Sequence, residues 1–251
     1  MAKHNKWSKV KHRKAVVDKR RGRVWTKIAK AIMVAAKNGG GDPTSNLSLR
    51  YAMDEARYAN MPRDTVERAI QKGVGGGDTS NFEAVRYEGY MPGGVAIVVD
   101  ALTDNRTRAF NLVRDAFTEN DGNLGTSGCV GYLFLNRGQI IVLGANLKDD
   151  AIIETALEAG AADVVSPDPL PDEDEEAAWT ILTEVTQFNT VKDALEKAKL
   201  PIEEASLAMV PDSLVAITSE QAKAVEALIE SLEDIDDVQK VYTNADLSNA
   251  E

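Results

Sequence analysis

Between positions 3 and 30 the chain carries Lys3, Lys6, Lys9, Lys11, Arg13, Lys14, Lys19, Arg20, Arg21, Arg23, Lys27 and Lys30, with a single acid, Asp18, among them. Cations at this density neutralise phosphates and release the counterions condensed on a nucleic acid. Trp7 and Trp25 are interleaved with them, and Trp7 has no apolar residue beside it. A tryptophan so placed can stack on a base or dock in a cleft. His4 and His12 add ring nitrogens that reach phosphates or base edges, and with no further ligand at hand the pair makes no metal site. The chemistry indicated is the binding of a polyanion. The expected nucleic-acid contacts are Lys3, His4, Lys6, Trp7, Lys9, Lys11, His12, Arg13, Lys14, Lys19, Arg20, Arg23, Lys27 and Lys30. Two blander readings compete: a solvated helix face with a free tail, and a cationic amphipathic helix on a membrane surface. The scarcity of acids argues against the first, and an apolar face that continues into a helical core argues against the second.

Other constellations are weaker. Gly122–Gly128 resembles a phosphate cradle, but a P-loop needs a Gly-Lys-Ser/Thr run opening a helix. Here there is no lysine and a strand is expected next, so the segment reads as a turn. Thr103–Arg108 reads as a helix start carrying surface arginines, with a second RNA contact as the other reading. The acidic runs Asp172–Glu176 and Glu233–Asp237 read as solvated loops, since neither has a histidine, a nucleophile or a calcium-loop glycine near it. Cys129 is the one cysteine and no histidine follows it, so no Cys-His nucleophile is expected. No enzyme activity, metal or cofactor is expected.

The elements that position the basic run follow from charge and period. Residues 1–75 hold 18 lysines and arginines against 6 acids, whereas residues 76–251 hold 11 against 34, so the overall charge of −11 conceals two opposed halves. From about Arg13 to Lys37, apolar Trp25, Ile28, Ala29, Ile32, Met33 and Ala36 recur at helical spacing. Arg20, Arg23, Lys27 and Lys30 step by three and four on roughly the opposite side. Glycines 39–41 end this helix. A turn and cap at Asp42–Ser45 opens a second helix through Leu49, Ala52, Met53 and Ala56. Pro62 opens a third, with Gly73 as its stop. Residues 73–78 read as a linker.

Beyond it the period becomes two. Strands are expected at 82–90 and 95–102, a helix around Phe110–Phe117, and a strand at Val130–Leu135. A second unit follows, with strand 139–143, helix 149–159, strand 163–166, strand 179–185, helix 190–199 and strand 202–209, the β-α-β-β-α-β order of ferredoxin-like folds. A last helix, 219–232, and strand, 238–243, have no sheet of their own. The economical solution returns them to the sheet of residues 82–135. The expected fold is α+β: a basic arm and three-helix domain over 1–75, a discontinuous α/β domain over 78–136 and 212–251, and a ferredoxin-like domain over 137–211 inserted into it.

Lys3–Lys14 is close to a Met-Ala-Gly-His-Ser-Lys-Trp start followed by an Ile-Lys-His-Arg-Lys segment, and by this run the chain resembles the YebC/PmpR family. The likeness continues through Gly39–Pro43, Ala59–Pro62, Glu67–Ile70, Tyr87–Tyr90, Ala101–Arg106, Gly122–Gly128 and Leu232–Gln239. Lys3 stands where the family has glycine, Asn5 and Cys129 where it has serine. The resemblance implies a three-domain, non-enzymatic, cytoplasmic protein. Its members are labelled probable transcriptional regulators and are also described as ribosome-associated translation factors, easing the synthesis of proline-rich stretches. Mitochondrial relatives activate translation of a cytochrome oxidase subunit. The expected function is a gene-expression factor binding ribosomal RNA through its basic arm and first helix, with ribosomal proteins or tRNA as further partners, no membrane, and a monomeric state. The alternatives are a DNA-binding transcriptional regulator and a protein-interaction scaffold.

Overall fold

The structure is a computed structural model that describes residues 17–75, 82–144, 149–166 and 177–247. In chain order its elements begin with α1 (Val17–Gly39), α2 (Leu47–Tyr58), α3 (Arg63–Val74), β1 (Glu83–Met91), β2 (Val95–Thr103), α4 (Arg106–Glu119) and β3 (Asn123–Leu124). They continue with β4 (Phe134–Gly144), α5 (Asp149–Glu158), β5 (Asp163–Val165), β6 (Ala177–Glu184), α6 (Phe188–Lys197) and β7 (Ile202–Pro211). The last are β8 (Val215–Ala216), α7 (Ser219–Glu233), β9 (Val238–Thr243) and β10 (Ala245–Asp246). Two compact units result, residues 136–210 forming one and the described residues on either side of them the other.

The three helices close on a core of Ile28, Ile32, Ala36, Leu49, Ala52, Ala56, Met61, Val66 and Ala69. Trp25 packs against it and its indole N–H donates to the Ala59 carbonyl at 2.9 Å. The cap of α2 is Asn46, one residue beyond the expected turn; its side-chain oxygen accepts from Leu49 N–H while its amide donates to Ala35 and Gly40, each at 2.8 Å. A buried side chain thereby satisfies both the end of α1 and the start of α2. Gly73 does not stop α3, which runs on to Val74. A Cβ there would lie 2.4 Å from the Met33 carbonyl, so the glycine lets two helix backbones touch.

In the same unit, β3-β1-β2-β9 form a four-stranded sheet. β2 pairs antiparallel with β1 from Glu83↔Thr103 to Met91↔Val95. Every second residue of β2, Val95 to Ala101, enters a core shared with Val113 and Phe117 of α4 and Leu228 and Leu232 of α7. β9 lies antiparallel beside β2, with a bulge between Asp100 and Ala101. The chain thus leaves this sheet for residues 136–210 and comes back to it. β8 and β10 add a short parallel pair.

Two expected strands, 130–135 and 139–143, are a single one. Gly131–Leu133 is a 3-10 turn, and β4 then runs unbroken from Phe134. The amides of Val130 and Gly131, which a strand would give to a ladder, go instead to the Glu88 carboxylate. The unit of residues 136–210 has strand order β5-β6-β4-β7, with β6 antiparallel to both β4 and β5. That order, with α5 and α6 as its crossovers, is ferredoxin-like. Ile140, Val142, Trp179, Ile181, Phe188, Val191 and Leu195 are buried in it.

Candidate nucleic-acid interface

Lys3, His4, Lys6, Trp7, Lys9, Lys11, His12, Arg13 and Lys14 lie outside the described residues, and Lys19 and Arg20 sit in the first turn of α1. Further along the same helix, the stripe of Arg23, Lys27 and Lys30 is not presented to solvent as an open phosphate-binding face. It meets the C-terminal end of α7. Arg23 pairs with Asp234. Lys27 Nζ donates to the Glu233 carbonyl at 2.7 Å. Lys30 Nζ reaches the Asp236 carbonyl at 3.0 Å and Asp237 Oδ1 at 3.1 Å. The last carbonyls of a helix lack intrahelical partners and carry the negative end of its dipole, so lysines docked there are doubly favoured. Burial pulls the Lys27 ammonium below its ordinary value, and the acids at 233, 236 and 234 oppose that pull. The ion pair of Lys240 with Glu55 fastens β9 to α2 beside this joint.

The joint turns on Asp237. It is buried, although the acidic run containing it reads as a solvated loop from sequence. Its Oδ2 accepts from Thr103 Oγ1 at 3.0 Å and from Arg108 Nη2 at 2.7 Å, while Oδ1 takes Lys30. Its own carbonyl accepts from Leu102 N–H at 2.8 Å, fixing the residue at the end of β2. Burial pushes this carboxyl up, but donation from Arg108, Lys30 and Thr103 outweighs it and holds the group below the usual carboxylate range. Thr103 and Arg108 belong to the segment read as a helix start. Asn105 does cap α4, accepting from Arg108 N–H at 3.0 Å. The signal sequence reading missed is complementarity: two motifs more than a hundred residues apart carry matched charges.

The glycine-rich segment does turn, with Cys129 N–H donating to the Thr126 carbonyl, and its last residue joins the next ones in cradling an anion supplied by the chain. Glu88, buried in β1, accepts from the backbone N–H groups of Gly128 at 2.9 Å, Val130 at 2.8 Å and Gly131 at 2.6 Å. Gly128 has φ of +85°, a conformation that turns successive amides toward one point at no steric cost to glycine. Burial raises the Glu88 carboxyl, and the three N–H donors together with Arg86 lower it further than burial lifts it. The site for an external phosphate is therefore filled. Burial and the neighbouring Glu88 carboxylate push the Cys129 thiol up, away from the thiolate a nucleophile needs. Among the described residues no group of three His, Cys, Asp or Glu is placed to hold a metal, and no helix is long and apolar enough to cross a membrane.

A three-helix domain locked by its own cations onto an α/β sheet, with a ferredoxin-like unit lying in chain order between β3 and β9 of that sheet, defines the class. The chain belongs to the TACO1/YebC family. The pattern described as the TACO1/YebC protein N-terminal domain matches residues 5–76, and that described as the TACO1/YebC second and third domain matches residues 82–245. The resemblance carried by the sequence motifs therefore holds. A protein of Polynucleobacter asymbioticus named "Probable transcriptional regulatory protein" is 47% identical over 247 residues, covering 98% of this chain and 100% of that one. A Geobacter sulfurreducens protein of the same description is 46% identical over 251 residues, covering 100% of this chain and 98% of its own. A crystal structure of a conserved hypothetical protein from Aquifex aeolicus superposes with a TM-score of 0.84 at 43% identity, over 96% of this chain and 97% of that one.

Proposed function

We propose that this protein is a non-enzymatic regulator of gene expression that binds ribosomal RNA through Lys3 to Arg20, in the cytoplasm and as a monomer, with ribosomal proteins or tRNA as further contacts. The observation that carries the reading is the division of the basic run. Arg23, Lys27 and Lys30 are engaged by α7 and the turn after it, and they hold α1 in place on the α/β domain. The phosphate-binding role then falls to the cations before them, where acids are nearly absent. Such an arm suits an irregular, phosphate-lined RNA site.

The printed names of the relatives favour a second reading, a DNA-binding transcriptional regulator. Major-groove readout needs a helix with a free polar or basic face. On α1, from Arg23 onward, the apolar face is in the helical core and the basic stripe is on α7, which counts against that mode.

The deciding experiment is crosslinking in living cells with sequencing of the attached RNA and DNA, beside a Lys6→Glu/Lys9→Glu/Lys11→Glu variant. Crosslinks concentrated at a few ribosomal RNA positions and lost in the variant are the expected result. Discrete promoter peaks without ribosomal RNA enrichment would overturn it in favour of the DNA reading.

A further inference from the structure

Residues 76–251 hold 11 lysines and arginines against 34 acids, yet Arg106, Arg108 and Arg114 all fall on α4, and residues 106–114 contain no acid. Arg108 is explained by Asp237 and Asp104. Arg106 is not: its guanidinium has no hydrogen bond or ion pair to any described residue. A cation in the first turn also opposes the helix dipole, so Arg106 does not serve the stability of α4. At four-residue steps, Arg106, Phe110 and Arg114 form one flank of the helix. Phe110 is 42% exposed. Its ring is tilted by 54° to that of Tyr87, with centroids 6.3 Å apart, and the Arg114 guanidinium stands over the ring at 6.0 Å from its centroid. Arg114 also contacts Asp115 at 3.0 Å. Thr107 and Asn111, both exposed, stand beside this stripe.

An exposed aromatic ring with a cation one turn before it and one turn after it, and an amide alongside, is the composition that receives single-stranded nucleic acid. The ring stacks a base, the cations take phosphates, and an amide can bond a base edge. We infer that this flank of α4 is a second contact for single-stranded RNA, with a base stacked on Phe110 and phosphates on Arg106 and Arg114. The inference rests on the reading of this protein as an RNA binder. It adds a site remote in sequence from the N-terminal cations and built on a rigid helix.

The test uses the full chain and a fluorescently labelled single-stranded RNA 20-mer of mixed sequence, with binding followed by anisotropy. Base stacking on an aromatic ring is worth ~1–3 kcal/mol, so Phe110→Ala is expected to weaken binding by about tenfold. Phe110→Leu, which keeps apolar contact with Tyr87 but has no π-face, should lose a similar amount, and Phe110→Trp should retain affinity. Arg106→Gln/Arg114→Gln should lower the dependence of log K on log salt by about 1.4, at ~0.7 per phosphate on a single strand. Unchanged affinity in Phe110→Leu, or an equal loss on duplex DNA of the same length, would overturn the site, because duplex base faces are closed to stacking. The Lys6→Glu/Lys9→Glu/Lys11→Glu variant separates the two readings. Loss in it alone leaves the arm standing and removes the α4 site, loss in the Phe110 variants alone does the reverse, and no binding by the unmodified chain removes both.

Discussion

Two buried carboxylates in the same α/β sheet domain are held in opposite ways. Glu88 is satisfied by three backbone N–H groups of one loop. Asp237 is satisfied by side chains from three elements, Lys30 of α1, Thr103 of β2 and Arg108 of α4. The first arrangement shapes a loop whatever its side chains are. The second binds separate parts of the molecule and fails if any partner moves. A carboxylate can therefore act as a local template or as a joint, and the kind of donor decides which.

Removing the joint has the largest expected effect. Asp237→Ala leaves Lys30 without its buried partner, and breaking such a pair costs about 3–5 kcal/mol. Urea denaturation followed by circular dichroism measures it, and a loss below about 1 kcal/mol would show that Asp237 is no joint. Glu88→Gln comes next. Its remaining oxygen can still serve Val130 and Gly131, and Gly128 lies at the surface, where its N–H can turn to water, so the expected loss is about 1–2 kcal/mol. Equal losses at the two positions would abolish the distinction.

Acid sharpens the comparison. Both carboxyls titrate below their ordinary values in the folded chain. The stability each contributes is whole above the unfolded values of about 3.9 and 4.3 and is lost as pH falls through the lower folded ones. The urea midpoint should drop on going below about pH 4.5. Asp237→Asn and Glu88→Gln should each flatten that drop, and a slope unchanged in both would refute the assignment. The smallest effect belongs to Lys27→Met. It keeps the stem packing and removes a half-buried charge, so the net change should stay within about 1 kcal/mol. A loss above 2 kcal/mol would move the weight of the joint from Asp237 to the helix end.

The fold was legible wherever period and chain order sufficed. The apolar series from Trp25 to Ala36 gave α1, and the β-α-β-β-α-β order gave the ferredoxin-like unit. The homeless pair formed by α7 and β9 pointed back to the first sheet, where β9 does lie. Less legible were features set by backbone donors or distant partners. Val130–Leu135 has strand composition, but two of its amides are claimed by Glu88, a competition no local pattern records. The stripe of Arg23, Lys27 and Lys30 has the spacing of a phosphate-binding face, and a chain's own carboxylates and helix carbonyls satisfy cations as phosphates do. Charge alone does not distinguish the two. The run Glu233–Asp237 reads as solvent-facing acid because its partners lie between 129 and 211 residues earlier.

That separation also sets an order of events in folding. Arg23 meets Asp234 across 211 residues, Lys27 meets Glu233 across 206, and Lys30 meets Asp237 across 207. The three-helix core is made of local contacts and can form early, whereas contacts of such long range come late and slowly. During synthesis the helical domain therefore emerges with its basic stripe unanswered, and α1 is seated only after α7 and β9 have been made. A nascent chain stalled before Glu233 would present every cation of that stripe at once.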